Sequence, residues 1–189
     1  MTRMKIDRLV PAPGYPSRDV ALFVAELEEL HERVVLASMA LSPGQLGWQP
    51  RPGASSAGML LAHIAVAETH LVQVGLLGEE SGHVEDVIGI REDDDGMPLD
   101  SNGLPPAALR DRDAAWFAGL LARSAAHLRT AAAGLTDDDL DTDVVRPPRP
   151  DGTQRVFNKR WILWHIVEHT AGHLGQLQML VNLVRGQAS

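Results

Sequence analysis

The stretch "WHIVEHTAGHLGQL", residues 164–177, carries histidines at positions 165, 169 and 173, each four residues from the next. An α-helix turns about 100° per residue, so this spacing keeps the three side chains on neighbouring lines of one helix. The flanking residues follow the same period. With Trp161 set to zero, Ile162, Ile166, Leu177, Leu180 and Val184 fall between about 100° and 160°. His173 then lies at about 120°, His169 at about 80° and His165 at about 40°. The expectation is a helix over 159–185 in which His173 points at the core, His169 stands beside it and His165 lies toward the edge.

Histidines at i and i+4 can share one metal ion, whereas those at i and i+8 stand about 12 Å apart along the axis. Only one adjacent pair can therefore serve a mononuclear site, and the angles favour His169 with His173. Two histidines rarely hold a divalent ion tightly, so a third ligand is needed. The stretch "MLLAHIAVAETHL", residues 59–71, offers His63 or His70 among Leu60, Ile64, Ala67 and Leu71, while Glu68 is rotated from that face by about 140°.

Three further segments have helical periodicity: 17–40, with Ser17 or Asp19 near its start, 56–77, and 111–133, with Gly134 as its stop. In the first, Val20, Phe23, Val24, Leu27, Leu30 and Val34 share a face. The fold class expected is all-α, one domain built as a four-helix bundle, with connections at 79–110 and 135–158 long enough to cross it. The first connection is an acidic insertion rich in Gly and Pro, and its Asp93–Asp95 run reads as a solvated loop. "TQRVF", residues 153–157, is the one candidate strand.

Composition narrows the function. The chain has 189 residues and a formal charge of −8, which disfavours nucleic acid. It has no cysteine, so any metal must be held by His, Asp or Glu. No apolar run of about 18 residues and no signal-peptide pattern stands out, and a cytoplasmic protein without membrane partners is expected. "HIVEH", residues 165–169, matches the inverted zinc-peptidase motif with Glu168 as base, but His173 is the sole later histidine and no Glu follows His169. A di-iron bundle needs Glu-x-x-His on two helices, and within the expected helices only Glu28–His31 has that spacing.

Two stretches carry a family resemblance: "LSPGQLGWQPRPGASSAGMLLAHIAVAE", residues 41–68, and "KRWILWHIVEHTAGHLGQL", residues 159–177. With them the chain resembles the DinB/YfiT-like family of metalloenzymes. That resemblance implies a four-helix bundle, commonly a homodimer, with a divalent metal, zinc or nickel, held by His63, His169 and His173. The wider superfamily includes thiol-dependent S-transferases, so the implied partners are a small-molecule thiol and an electrophilic substrate. Gln176, His70 and Glu68 are the candidates to support the ligands, and Trp48 and Trp164 to line the mouth. An open position on such a metal would serve either a water, giving hydrolysis, or a thiolate, giving transfer. The sequence shows no carboxylate facing inward beside His63 or His173, which favours transfer, although Glu28, Glu32 or Asp113 could supply one. The alternatives are a metal-dependent hydrolase and a dimeric bundle that binds metal or ligand without turnover.

Overall fold

The computed structural model describes residues 9–186. Four long helices make the bundle: α1 (Arg18–Ser38), α3 (Ala57–Leu71, continued by a π-turn over Val72–Leu76), α5 (Ala114–Ala132) and α7 (Lys159–Gly186). Short helices α2 (Pro43–Leu46), α4 (Val84–Ile88) and α6 (Asp137–Leu140) lie in the connections, with strands β1 (Asp143–Val145) and β2 (Val156–Asn158). The all-α expectation holds.

Local chemistry sets the helix starts. Ser17, Ser56 and Asp113 each accept a hydrogen bond from a backbone N–H in the first turn of α1, α3 and α5. In α1 the buried Val20, Val24, Leu27, His31, Val34 and Ser38 repeat at intervals of three and four, one stripe facing inward. α3 is buried on nearly every side, as a helix apolar all round must be. By length and composition Ala57–Leu76 could cross a membrane, contrary to the sequence expectation, but 78% of that window is buried inside the bundle.

α7 packs on α1 and α3, while α5 packs on α3 and α1, which leaves α1 diagonal to α3 and α5 diagonal to α7. The links from α1 to α3 and from α5 to α7 therefore cross the bundle; the second is the expected crossing over 135–158, whereas the long connection 79–110 joins the neighbouring α3 and α5 and does not cross, contrary to expectation. The second crossing carries an antiparallel hairpin in which Val144 pairs with Phe157. The sequence located only the second half of this hairpin, and β1 has no alternating pattern to announce it.

Within the acidic insertion the Asp93–Asp95 run is not the solvated loop expected, since its 3₁₀ turn buries Asp95. The insertion folds as α4 and two 3₁₀ turns, and it also buries Val84, Ile88, Ile90 and Leu109. Gly89, with φ of 83°, closes α4 in the left-handed conformation that a residue with a Cβ resists. α5 ends without that device. Its cap is Ala133 in a right-handed conformation, so Gly134 does not act as predicted.

The interior divides into two apolar clusters. One joins Leu60, Leu61, Ile64, Phe117, Leu121, Leu174 and Leu177; the other joins Val20, Leu27, Val72, Leu128, Ile162 and Ile166. Along each helix the break between them is polar and buried: His31 in α1, Glu68 and Thr69 in α3, Ser124 in α5 and Thr170 in α7. Glu68 accepts a hydrogen bond from Ser124 Oγ at 2.8 Å, and Thr69 donates to the same hydroxyl at 3.1 Å. His31 Nε2 approaches Glu68 Oε2 to 2.8 Å across the diagonal, off the axis of an aligned hydrogen bond. A buried carboxylate is costly unless a charge and hydrogen bonds compensate it, and this layer supplies both.

Candidate metal centre

α3 contributes His63, and α7 contributes His169 and His173 one turn apart. Their Nε2 atoms converge: His169 to His63 at 3.2 Å and His173 to His169 at 3.1 Å. Among the described residues these three form the one group of three or more His, Asp or Glu whose ligand atoms all lie within 4.8 Å. None of the three is fully buried; the His63 side chain keeps 23% of its surface in solvent. His173 thus flanks the core and does not point into it. The reason lies in four residues outside the predicted face. Leu163, Thr170, Leu174 and Val181 are also buried, and they turn the inward direction of α7 by roughly 30° away from the histidines.

The outer nitrogens are occupied. His63 Nδ1 lies 2.8 Å from Asp95 Oδ2, and the other oxygen of Asp95 accepts the Met97 N–H at 2.8 Å. His173 Nδ1 lies 2.8 Å from Gln176 Oε1. A carboxylate and an amide oxygen only accept, so both Nδ1 atoms carry the proton and both Nε2 atoms present lone pairs. Two lone pairs therefore converge on His169 Nε2, which has at most one N–H to offer. Burial, reinforced by His173, His63 and His165, lowers the pKa of His169 to about 3, so it is neutral near pH 7. Burial also lowers that of His173, against the opposing effect of the hydrogen bond it donates to Gln176. Three crowded imidazoles whose Nε2 atoms converge fit a cation.

The other sequence candidates have different neighbours. Gln176 is in contact with His173. Glu68 is committed to His31 and Ser124, and His70 Nδ1 lies 3.3 Å from Glu92, so neither joins the cluster. His165 meets Glu168 at 3.1 Å, and its ring centre stands 6.0 Å from that of His169. That pairing spends Glu168 on His165, which does not suit the inverted peptidase motif. Trp164 is 47% exposed, while Trp48 packs against the core. Glu28 pairs with Arg129 at 3.6 Å, and Asp113 caps α5.

Asp95 escaped the sequence reading. The absence of a carboxylate beside His63 is corrected by it: Asp95 is 3% exposed and touches the ring. The acidic run was visible, but Asp93, Asp94 and Asp95 look alike as letters. The 3₁₀ turn over Glu92–Asp95 faces one of them inward.

With this geometry in view, comparisons place the chain among known proteins. The sequence profile of the DinB superfamily matches residues 23–177. No curated protein matches. Among solved structures, the crystal structure of a conserved protein from Enterococcus faecalis superposes with a TM-score of 0.63. The identity is 17%, over 87% of this chain and 96% of that one, a likeness of fold.

Proposed function

We propose that this chain, which belongs to the DinB superfamily, is a metal-dependent enzyme whose ion is held by His63, His169 and His173. The convergence of three Nε2 atoms carries the reading. Imidazole nitrogens bound to one tetrahedral zinc at 2.0–2.1 Å stand about 3.3–3.4 Å apart, and the contacts here are 3.2 and 3.1 Å. Zinc or nickel suits an all-imidazole donor set. When bound, such an ion supplies an electrophilic open position that lowers the pKa of a coordinating group.

The protein's own residues prepare that position. Asp95 and Gln176 fix the ring orientation of His63 and His173 and direct their lone pairs inward. The buried charge of Asp95 offsets part of the ion's charge. The exposed edge of His63 leaves a way in from solvent.

The reaction we favour is transfer of a small-molecule thiol to an electrophile. Both oxygens of Asp95 are already engaged, so it stands behind His63 as a support and not as a free proton acceptor. A thiol, with a pKa of about 8.5, needs less help to ionise than water at about 15.7. The test begins with metal analysis of purified protein, then a panel of low-molecular-weight thiols with chlorinated or epoxide electrophiles, with and without chelator. Chelator-sensitive conjugate formation is expected. Chelator-sensitive cleavage of esters or amides without thiol would instead make the protein a hydrolase, and metal binding with neither reaction would leave a binding protein.

The assembly proposed is a homodimer. Leu36 and Met39 on or beside the end of α1, and Met179 and Leu183 on α7, are 50–67% exposed. Apolar surface on two adjacent helices supports a twofold contact.

A further inference from the structure

We propose that a separate anion site, for a small ligand bearing a carboxylate, lies beside the histidine cluster between the π-turn of α3, the hairpin and the first turns of α7. Its use as a substrate anchor rests on the metal reading above; its existence as an anion site does not. A cavity of about 140 Å³ opens there, with His70, Gly75, Arg146, Arg155, Trp161 and His165 in its lining. At about 30 Å³ per water it has room for a small organic acid and not for a nucleotide-sized cofactor.

The cations are the first argument. Arg146 and Arg155 sit next to β1 and β2, and the Arg146 N–H donates to the Arg155 carbonyl at 3.0 Å, which sets both side chains at one end of the hairpin. Three other arginines are paired with carboxylates, Arg91 with Asp94, Arg129 with Glu28, and Arg160 with Asp19 and Asp141, and Arg123 donates to the Ile88 carbonyl. Among the described residues no carboxylate pairs with Arg146 or Arg155. Arg155 lies over the Phe157 ring at 5.6 Å, a contact that leaves its N–H groups free. A guanidinium matches a carboxylate through two parallel hydrogen bonds, which an ammonium cannot do.

The wall is the second argument. Phe157 stacks on Trp161 at 4.2 Å, and Trp161 stacks on His165 at 4.6 Å, so the aromatic side of the cavity is braced from both ends. Opposite it, the π-turn comes close to α7. A Cβ on Gly75 would meet Ile162 Cγ2 at 2.8 Å, so glycine permits this approach. π-turns cost hydrogen-bond geometry and concentrate at functional sites.

Position is the third. His165 lines the cavity, and its ring centre is 6.0 Å from that of His169. A small acid held by the arginines would extend its other end toward the three converging Nε2 atoms. The substrate class implied is a carboxylate whose reactive carbon or sulfur lies a few bonds from the acid group.

The experiment is calorimetric titration of chelated protein with benzoate, benzamide and inorganic phosphate. Benzoate is expected to bind at least about tenfold more tightly than benzamide, the discrimination of a charge-assisted bidentate pair. Arg146→Gln with Arg155→Gln should abolish the preference, and Arg146→Lys should weaken it; far-UV circular dichroism verifies that each variant is folded. The titration is run on chelated protein and needs no metal, so failure of the metal reading and failure of this one are separable. Equal binding of benzoate and benzamide, no binding of either, tighter phosphate binding, or a folded double variant that keeps the preference overturns the proposal.

Discussion

Asp95 Oδ2 stands 2.8 Å from Nδ1 of His63, although 32 positions separate the two residues in the chain. The contact ties the acidic insertion to α3 and decides which nitrogen of His63 carries its proton. Removing the carboxylate should therefore loosen the metal without dismantling the bundle. Asp95→Ala is expected to weaken metal affinity about 10–100-fold, measured by competition with a chromophoric chelator. Asp95→Asn keeps an acceptor oxygen and should lose less. Unchanged affinity in Asp95→Ala would show that the contact does not orient the ligand.

The three converging nitrogens predict a stoichiometry of about one divalent ion per chain. His63→Ala, His169→Ala and His173→Ala should each abolish tight binding, whereas His165→Ala should bind nearly as the parent does. Chelation should also lower the melting temperature, because an ion that binds only the folded state adds about 2.7 kcal/mol at a concentration of 100 times its Kd. Elemental analysis and thermal scans on the same samples decide the point, and a comparable loss in His165→Ala would move the site toward the inverted motif.

The buried polar layer predicts a pH dependence. Burial would lower the pKa of His31, but the charge of Glu68 close against it, helped by Glu28, raises it above its ordinary value. A raised folded pKa means the folded state holds the proton more tightly than the unfolded chain does. The stabilisation is complete below about pH 6.5, the unfolded value. It is lost as pH rises through the folded pKa. Urea midpoints of the parent should fall between pH 6 and pH 9 more than those of His31→Gln. Parallel pH profiles for the two proteins would mean that the pair does not couple protonation to folding.

The exposed Leu36 and Leu183 predict self-association. Sedimentation at micromolar concentration should show a dimer, and Leu36→Glu with Leu183→Glu should shift it to monomer while the helical circular dichroism persists. A parent that sediments only as a monomer excludes the twofold contact.

The long helices were legible in sequence because their apolar residues repeat every three or four positions and, for α1, α3 and α5, hydroxyl or carboxylate caps precede them. Ser17 and Ser56 mark the starts of α1 and α3 as those rules require. Local angular arithmetic also favoured His169 and His173 as a pair, since both lie on one helix. The family resemblance, and not the spacing, preferred His63 to His70. What joins these residues is tertiary. His63 meets α7 because α3 packs beside it, and His70, seven residues on, faces the cavity next to the hairpin instead. The direction of the core relative to the histidines depended on Leu163, Thr170, Leu174 and Val181, whose burial comes from the helices packed around α7. Asp95 is the clearest case: three consecutive aspartates are equivalent until a 3₁₀ turn, packed against α3, faces one of them toward the ring of His63. Periodicity and capping act over a few residues and are written in the local sequence. Side-chain partnership across the bundle depends on where separate elements come to rest, and packing decides that.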